Sequence, residues 1–241
     1  MPLRINYYAS PEHDLMHRFY IPLTQFQTYA TDMEDYILQR QASALDRETE
    51  LAAACDLDEY NEEWEEDDGE SGWIHFLADR SMDVMQFPNI LRSSLLISIY
   101  SFLENQLIRL CKEIQIKKSL SLKYNDVNNK GIEKAKLYLS KVVGIDLNPA
   151  IKEWNLIKNY QTLRNCFTHS EGMVEEPDKK LLSAIESIEG VKIYGDNILG
   201  KSIFLDGHVI FNFIEIVKRF LGKIEEQYLE ILYPHNYWYK K

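Results

Sequence analysis

The sequence predicts a mainly α-helical protein with one small β-hairpin, and three observations support this prediction. Apolar residues recur at spacings of three and four over about five long segments, which is the period of an amphipathic helix. The composition, with 45% hydrophobic residues, 10 Gly and 7 Pro, is that of a folded globular protein. A single pair of strand-like runs around a turn is present, near 191–205. We therefore expect helices to form the core and the hairpin to be a minor addition.

The first predicted element is a long amphipathic helix over 22–54, which opens at Pro22. Its apolar positions step by three and four, at Leu23, Phe26, Tyr29, Met33, Tyr36, Ile37 and Leu45. An acidic segment follows, because ten of the fifteen residues over 56–70 are Asp or Glu and none is basic. Repulsion between these charges opposes burial and predicts a solvated loop, with the alternative that the segment covers a basic surface of the same protein.

The next predicted helix, over 73–86, is short, and Phe87 with Pro88 interrupts it. Proline lacks an amide hydrogen and restricts the residue before it, so a new helix is expected at this point. The segment 88–114 is the most apolar of the chain and is predicted to be the central core helix. We divide the chain into an acidic N-terminal helical extension and loop, 1–72, and a helical domain, 73–241.

Five further elements and a tail complete the prediction. A short basic helix over 131–144 is expected to stop near Gly144, and Pro149 opens the next long helix, over 148–169. In that helix Trp154, Tyr160 and Phe167 are predicted core residues, and Gly172 is a plausible terminator. A short helix over 178–190, the hairpin over 191–205, a last long helix over 207–232 and an aromatic, basic tail follow.

The charge of the chain is unevenly distributed. The net charge is −11 overall, but residues 1–72 carry −14 and residues 73–241 carry +3. Within 105–166, twelve basic and five acidic side chains give a local charge of +7. A polyanion such as RNA is therefore an electrostatically reasonable partner for that part of the chain.

The sequence predicts a soluble protein of a reducing compartment, which we expect to be the cytoplasm. Its three cysteines have no pairwise or CxxC spacing, so they give no disulfide framework. The N-terminus lacks the apolar run of a signal peptide, and no segment is apolar enough over the required length to cross a bilayer. We expect no membrane partner.

Several common kinds of site have no motif in this sequence. GxGxxG, GxxxxGK[ST], HExxH and GxSxG are all absent, so dinucleotide, P-loop, zincin and α/β-hydrolase functions have no support. His13 and His17 are one helical turn apart, but beyond Glu12 and Asp14 nothing nearby completes a metal site. We predict no metal and no cofactor.

The segment Gln161–Gly172 is the most informative one, because it places Arg164, Asn165 and His169 at a helix end. At ~100° per residue, Asn165 and His169 lie within ~40° of each other, whereas Arg164 is ~140° from His169. Arg164 and His169 can converge on one group if the last turn distorts or if Arg164 curls round on its long stem. They can also do so if a second copy of the helix supplies another pair, which implies a dimer.

Arg164 and His169 with four residues between them, and the polar Asn165 directly after the arginine, resemble the signature of HEPN (higher eukaryotes and prokaryotes nucleotide-binding) domains. The segment Ile99–Ile114, with Glu104, is similar to the glutamate-containing helix that precedes this motif in many HEPN proteins. The resemblance covers roughly 88–172, with the final helix as a further candidate part, and includes neither the first 72 residues nor the hairpin.

The resemblance implies an HEPN-like antiparallel helical bundle that dimerises with its two motifs facing each other. It implies a metal-independent endoribonuclease, in a toxin, phage-defence or RNA-processing system, with Arg164, Asn165 and His169 as catalytic residues and Glu104 as a support for Arg164. RNA, a second copy of the chain and an inhibitor or antitoxin protein are the implied partners. Some HEPN toxins carry a modifiable tyrosine two residues after the histidine; this chain has Glu171 there, so we do not expect that control.

The residue types suit this chemistry. RNA carries its own nucleophile, the 2′-hydroxyl, so cleavage needs a proton acceptor or donor that works near neutral pH and a cation for the phosphorane charge. His169 fits the first role and Arg164 the second. The alternatives are an ion pair for Arg164, a hydrogen bond in the last helical turn for Asn165 and a favourable cation near the helix end for His169. They correspond to a noncatalytic module that binds nucleotide, RNA or protein, or to a structural dimerisation unit.

Overall fold

The computed structural model describes residues 15–58, 84, 86–174, 176, 179–196 and 200–234. These ranges contain six α-helices: α1 (Ile21–Asp58), α2 (Phe87–Lys117), α3 (Gly131–Leu137), α4 (Ile151–Ser170), α5 (Lys179–Ser187) and α6 (His208–Leu232). Between α5 and α6, β1 (Val191–Asp196) and β2 (Gly200–Leu205) pair as an antiparallel hairpin. The predicted mainly α fold with one small hairpin is confirmed.

Helix α1 has 38 residues and follows a single π-helical turn, Met16–Tyr20. Its buried side recurs every seven residues, which is nearly two helical turns, at Leu23, Ala30, Ile37 and Ala44. Tyr29, Tyr36 and Leu45 were predicted for this side, but they are 55%, 48% and 60% exposed. Each is next in sequence to a buried residue, and one step along a helix turns a side chain by ~100°, out of the core.

Helix α2 is the central helix, as predicted, and it packs against α1, α4 and α6. It begins at Phe87, with Pro88 in its first turn, where the missing amide hydrogen is harmless. The helix runs to Lys117, three residues beyond the predicted end. Its buried side chains include Leu95, Leu96, Ile99, Tyr100, Leu103, Leu107, Leu110, Cys111 and Ile114.

The predicted basic helix over 131–144 consists of two parts. Helix α3 ends at Leu137 and a π-helical turn, Tyr138–Val143, continues it. The chain then turns at Gly144, whose φ of 88° favours glycine. A 3₁₀ turn, Asn148–Ala150, with Pro149 inside it leads into α4.

Aromatic pairs join α4 to α6. Trp154, Tyr160 and Phe167 are all buried, as predicted. The ring of Tyr160 stacks on Phe213 with centroids 4.1 Å apart, and Trp154 lies 5.7 Å from Phe220. Because these contacts bury the side of α4 that faces α6, a functional site on α4 has to use its other sides.

The hairpin pairs Val191 with Leu205 at its open end and is held against α2 by polar contacts. Asn89 Nδ2 donates to Ile203 O at 2.8 Å, and Leu205 N donates to Asn89 Oδ1 at 3.0 Å. Arg92 adds a second connection, because it donates to Leu205 O at 2.9 Å and to the Glu34 carboxylate of α1 at 2.6 Å.

Several predictions concern residues outside the described ranges. They are the loop over most of 56–70, most of the helix over 73–86, the tail beyond 234 and the domain boundary at 72 and 73. The backbone of 56–58 is described and is helical, so α1 extends beyond its predicted end at 54.

Candidate functional site

The last two turns of α4 carry three of the four predicted site residues, and the helix stays regular to Ser170. It ends where Glu171 and Gly172 adopt left-handed φ angles of 54° and 82°. Gly172 N donates to Cys166 O at 3.3 Å, which closes the helix end. A Cβ at Gly172 would lie 2.8 Å from the Phe167 ring, so glycine is needed here. The predicted terminator is confirmed.

Arg164 is half-buried and turned towards α2. Its Cζ lies 5.4 Å from the centroid of the Tyr100 ring, within the range of a cation–π contact. Its Nη1 donates to Asn165 Oδ1 at 3.1 Å, while its buried Nε has no hydrogen-bond acceptor. Among the described residues, no carboxylate lies within ion-pair distance of this guanidinium.

Tyr100 is a member of this site that the sequence did not reveal. Its phenol is buried, which raises its pKa, and the negative charge of Glu104 raises that pKa further while Arg164 opposes the change. Tyr100 therefore remains neutral and presents its ring face to the guanidinium. Its position one helical turn before Glu104 could have indicated a role in the site. In the sequence, however, Tyr100 looks like one more core residue of an apolar helix.

Glu104 lies on α2 as expected, but it makes no ion pair with Arg164 in the part of the chain that the structure describes. Its carboxylate lies beside the first residue of α3, where a Cβ on Gly131 would come within 3.0 Å of Glu104 Oε1. A carboxylate at a helix N-terminus is favourable. Its negative charge raises the pKa of Tyr100, whose ring contacts Arg164.

His169 is exposed in the last turn of α4. The described residues offer its imidazole no hydrogen-bond or ion-pair partner. A protonated imidazole is favourable at the C-terminal end of a helix. One chain thus brings Arg164 and Asn165 together, whereas His169 lies ~140° around the regular helix from Arg164.

An open groove of about 980 Å³ runs between α4 and the start of α5, and we call it the α4–α5 groove. Asn165 is the one predicted site residue among its described lining residues. Its wall and floor are formed by Thr162, Asn165, Cys166, Ser170, Met173, Val174, Glu176, Lys180 and Leu181.

Two kinds of feature are not found where the structure describes the chain. No group of three or more His, Cys, Asp or Glu side chains is placed to hold a metal ion. No helix there combines the length and the apolar character needed to cross a membrane.

Comparison of the chain with protein-family models, with curated proteins and with solved structures finds no match. The family resemblance therefore depends on Arg164, Asn165, His169 and the preceding helix with Glu104. Function has to be argued from the geometry of these residues.

Proposed function

We propose that the protein is a metal-independent endoribonuclease of HEPN type, with an active site that forms between two copies of the chain. Arg164 stabilises the charge of the reacting phosphate and His169 transfers protons. The observation that supports this function best is the half-buried Arg164 guanidinium, which has no carboxylate within ion-pair distance among the described residues, because its charge then remains available to an anion from outside.

The proposed reaction uses the strand's own nucleophile. The 2′-oxygen loses its proton to one imidazole and attacks the adjacent phosphorus, and the bond from phosphorus to the 5′-oxygen breaks. The leaving 5′-oxygen takes a proton from a water molecule, and the resulting hydroxide takes a proton from the imidazolium, so each site needs the imidazole of one copy and the guanidinium of the other. Arg164 faces the phosphorane oxygens, where charge builds up in the transition state.

The geometry of α4 favours the dimer over the other two ways of joining Arg164 to His169. The helix is regular to Ser170, so no distorted turn brings the two side chains to one side. Arg164 is held by Tyr100 and Asn165 and does not curl towards His169. The exposed His169 of one copy is then free to meet Arg164 of another.

The first experiment measures RNA cleavage by the purified full chain in EDTA. We expect cleavage by the wild type, and losses of roughly 1,000-fold in Arg164→Ala and roughly 100-fold in His169→Ala, from the usual contributions of a phosphate-binding arginine and a proton-transferring histidine. Lys218→Ala is the control, because Lys218 is exposed on α6 and pairs with Glu215 there. Equal cleavage by all four proteins would trace the activity to a contaminant and refute the proposal.

A mixing experiment tests whether the site is shared between copies. Each of the variants Arg164→Ala and His169→Ala is inactive alone, but a heterodimer contains one site with both side chains. Random exchange of subunits should therefore restore about a quarter of the wild-type activity. No recovery, although native mass spectrometry shows mixed dimers, would contradict a shared site.

One observation favours a second candidate, a noncatalytic module that binds RNA. Within one chain Arg164 and His169 have no common contact, so an anion can bind at Arg164 without any reaction. Binding to RNA with a steep salt dependence, and with the strand intact after long incubation, would support this candidate against the nuclease.

A further inference from the structure

We infer that the α4–α5 groove is a nucleobase subsite for the RNA strand and gives the protein a sequence preference. This inference rests on the proposed function, because it assumes a strand whose phosphate lies at Arg164. The groove volume of about 980 Å³ is within the range of sites that accept small organic molecules, so a nucleoside fits.

Asn165 connects the groove to the proposed phosphate site. Its Oδ1 accepts the hydrogen bond from Arg164 Nη1 at 3.1 Å, which fixes the orientation of the amide. Its Nδ2 then carries two N–H donors with no partner among the described residues, on a side chain that lines the groove. A nucleotide next to the bound phosphate is the group that these donors can reach.

Met173 provides an apolar surface for a base. Its side chain is 44% exposed, yet it is held in place: Ser202 Oγ donates to Met173 Sδ at 3.0 Å, and a Cβ on Gly200 would lie 2.8 Å from Met173 Cε. Methionine side chains are usually flexible, but Met173 is held in one position and remains exposed. It is therefore a suitable platform for the flat face of a base.

The turn that carries Met173 is attached to the hairpin, so the groove wall is rigid. Val174 N donates to Lys201 O at 2.7 Å, and Ile203 N donates to Gly172 O at 2.9 Å. A wall with a fixed shape discriminates between ligands better than a wall that adapts to each of them.

Glu176 and Lys180 supply polar groups to the groove. A carboxylate accepts hydrogen bonds from the amino and imino groups of bases and repels phosphate, so Glu176 suits a base edge and not a backbone. Lys180 is exposed at the start of α5 and can pair with the phosphate of that nucleotide. Donors, an acceptor and an apolar platform together are typical of base recognition.

Binding to uncleavable RNA tests the subsite separately from catalysis. We would use short 2′-O-methyl oligonucleotides that differ at one position and measure their affinity for the full-length protein by fluorescence anisotropy. We expect the four bases to differ by about 10-fold in wild-type affinity, and this preference to fall to about 2-fold in Met173→Ala and in Glu176→Gln. The matched controls are Leu182→Ala and Glu186→Gln, exposed residues of α5 that do not line the groove.

The outcomes separate the subsite from the nuclease. Equal affinity for all four bases, a preference that both groove variants retain, or no binding at all would overturn the subsite. A preference that depends on Met173 and Glu176, without cleavage of ordinary RNA by the wild type, would support the subsite and refute the nuclease. Cleavage that depends on Arg164, with a base preference unaffected by the groove variants, would support the nuclease and refute the subsite.

Discussion

Each end of α4 carries a charged side chain at the edge of the core. Oppositely charged side chains surround the first of these charges, and neutral groups contact the second. Near the N-terminal end, Glu153 has a side chain only 7% exposed; Lys223 Nζ lies 2.7 Å and Arg219 Nε 3.7 Å from its oxygens. Near the C-terminal end, Arg164 contacts a neutral ring and a neutral amide.

Under the proposed function, the difference separates a charge that stabilises the fold from a charge that binds a ligand. A buried carboxylate is tolerated because cations of α6 compensate for its lost hydration. A half-buried guanidinium without an anionic partner lowers the stability of the folded protein, and a bound phosphate would offset this loss. Each prediction below tests this contrast.

The largest expected effect is on catalysis at the uncompensated end. Arg164→Ala should lower kcat/KM for RNA by roughly 1,000-fold and leave the free energy of unfolding within about 1 kcal/mol of wild type, because no ion pair is lost. Arg219→Ala is the matched arginine control at the compensated end. Equal losses of activity in the two variants would remove the distinction between the ends.

At the compensated end we expect an effect on stability. Glu153→Ala removes the charged hydrogen bond from Lys223 and the contact with Arg219, and should lower the free energy of unfolding by about 2 kcal/mol in urea denaturation. Glu215→Ala, an exposed carboxylate paired with Lys218 at 3.7 Å, should cost no more than about 1 kcal/mol. A similar cost in both variants would mean that burial of Glu153 has no special energetic role.

A smaller effect is expected from the ring that holds Arg164. Tyr100→Leu removes the cation–π contact and should lower kcat/KM about 10-fold, whereas Tyr100→Phe keeps the ring and should stay within about 3-fold of wild type. Comparing kcat and KM for the folded fraction of each protein separates a positioning role from loss of structure. If kcat/KM of Tyr100→Phe is as low as that of Tyr100→Leu, the ring face does not position Arg164.

Much of the fold could be predicted from apolar spacing, because a helix buries one side over many turns and the pattern repeats. Errors occurred at the border of that side, as for Tyr29 and Leu45, each one residue away from a buried neighbour. Spacing identifies the helix, but only the contacts with α2 and α6 decide its exact orientation.

The site was predictable only in part, for a related reason. The residue spacing within α4 predicted how Arg164, Asn165 and His169 are arranged around the helix. The aromatic partner of Arg164 comes from another helix, and a tyrosine in the apolar pattern of α2 looks like core, as Tyr100 did. The groove depends on the turn after α4 meeting β2, a contact that joins residues distant in sequence and has no local signature.

The smallest expected effect is the pH dependence of the stabilisation that Glu153 provides. Burial alone would raise the pKa of this carboxyl, but the hydrogen bond from Lys223 and the charges of Lys223 and Arg219 hold the pKa below its usual value. A carboxyl with a depressed pKa in the folded state stabilises the protein fully above its unfolded pKa, and this contribution is lost as the pH falls through the folded pKa. The difference in unfolding free energy between wild type and Glu153→Gln should therefore be constant near neutral pH and shrink as the pH falls below the usual pKa of a glutamate, about 4.3. Other acidic groups are common to both proteins and cancel in this difference, so a difference independent of pH would show that the two cations of α6 do not stabilise the charged form of Glu153.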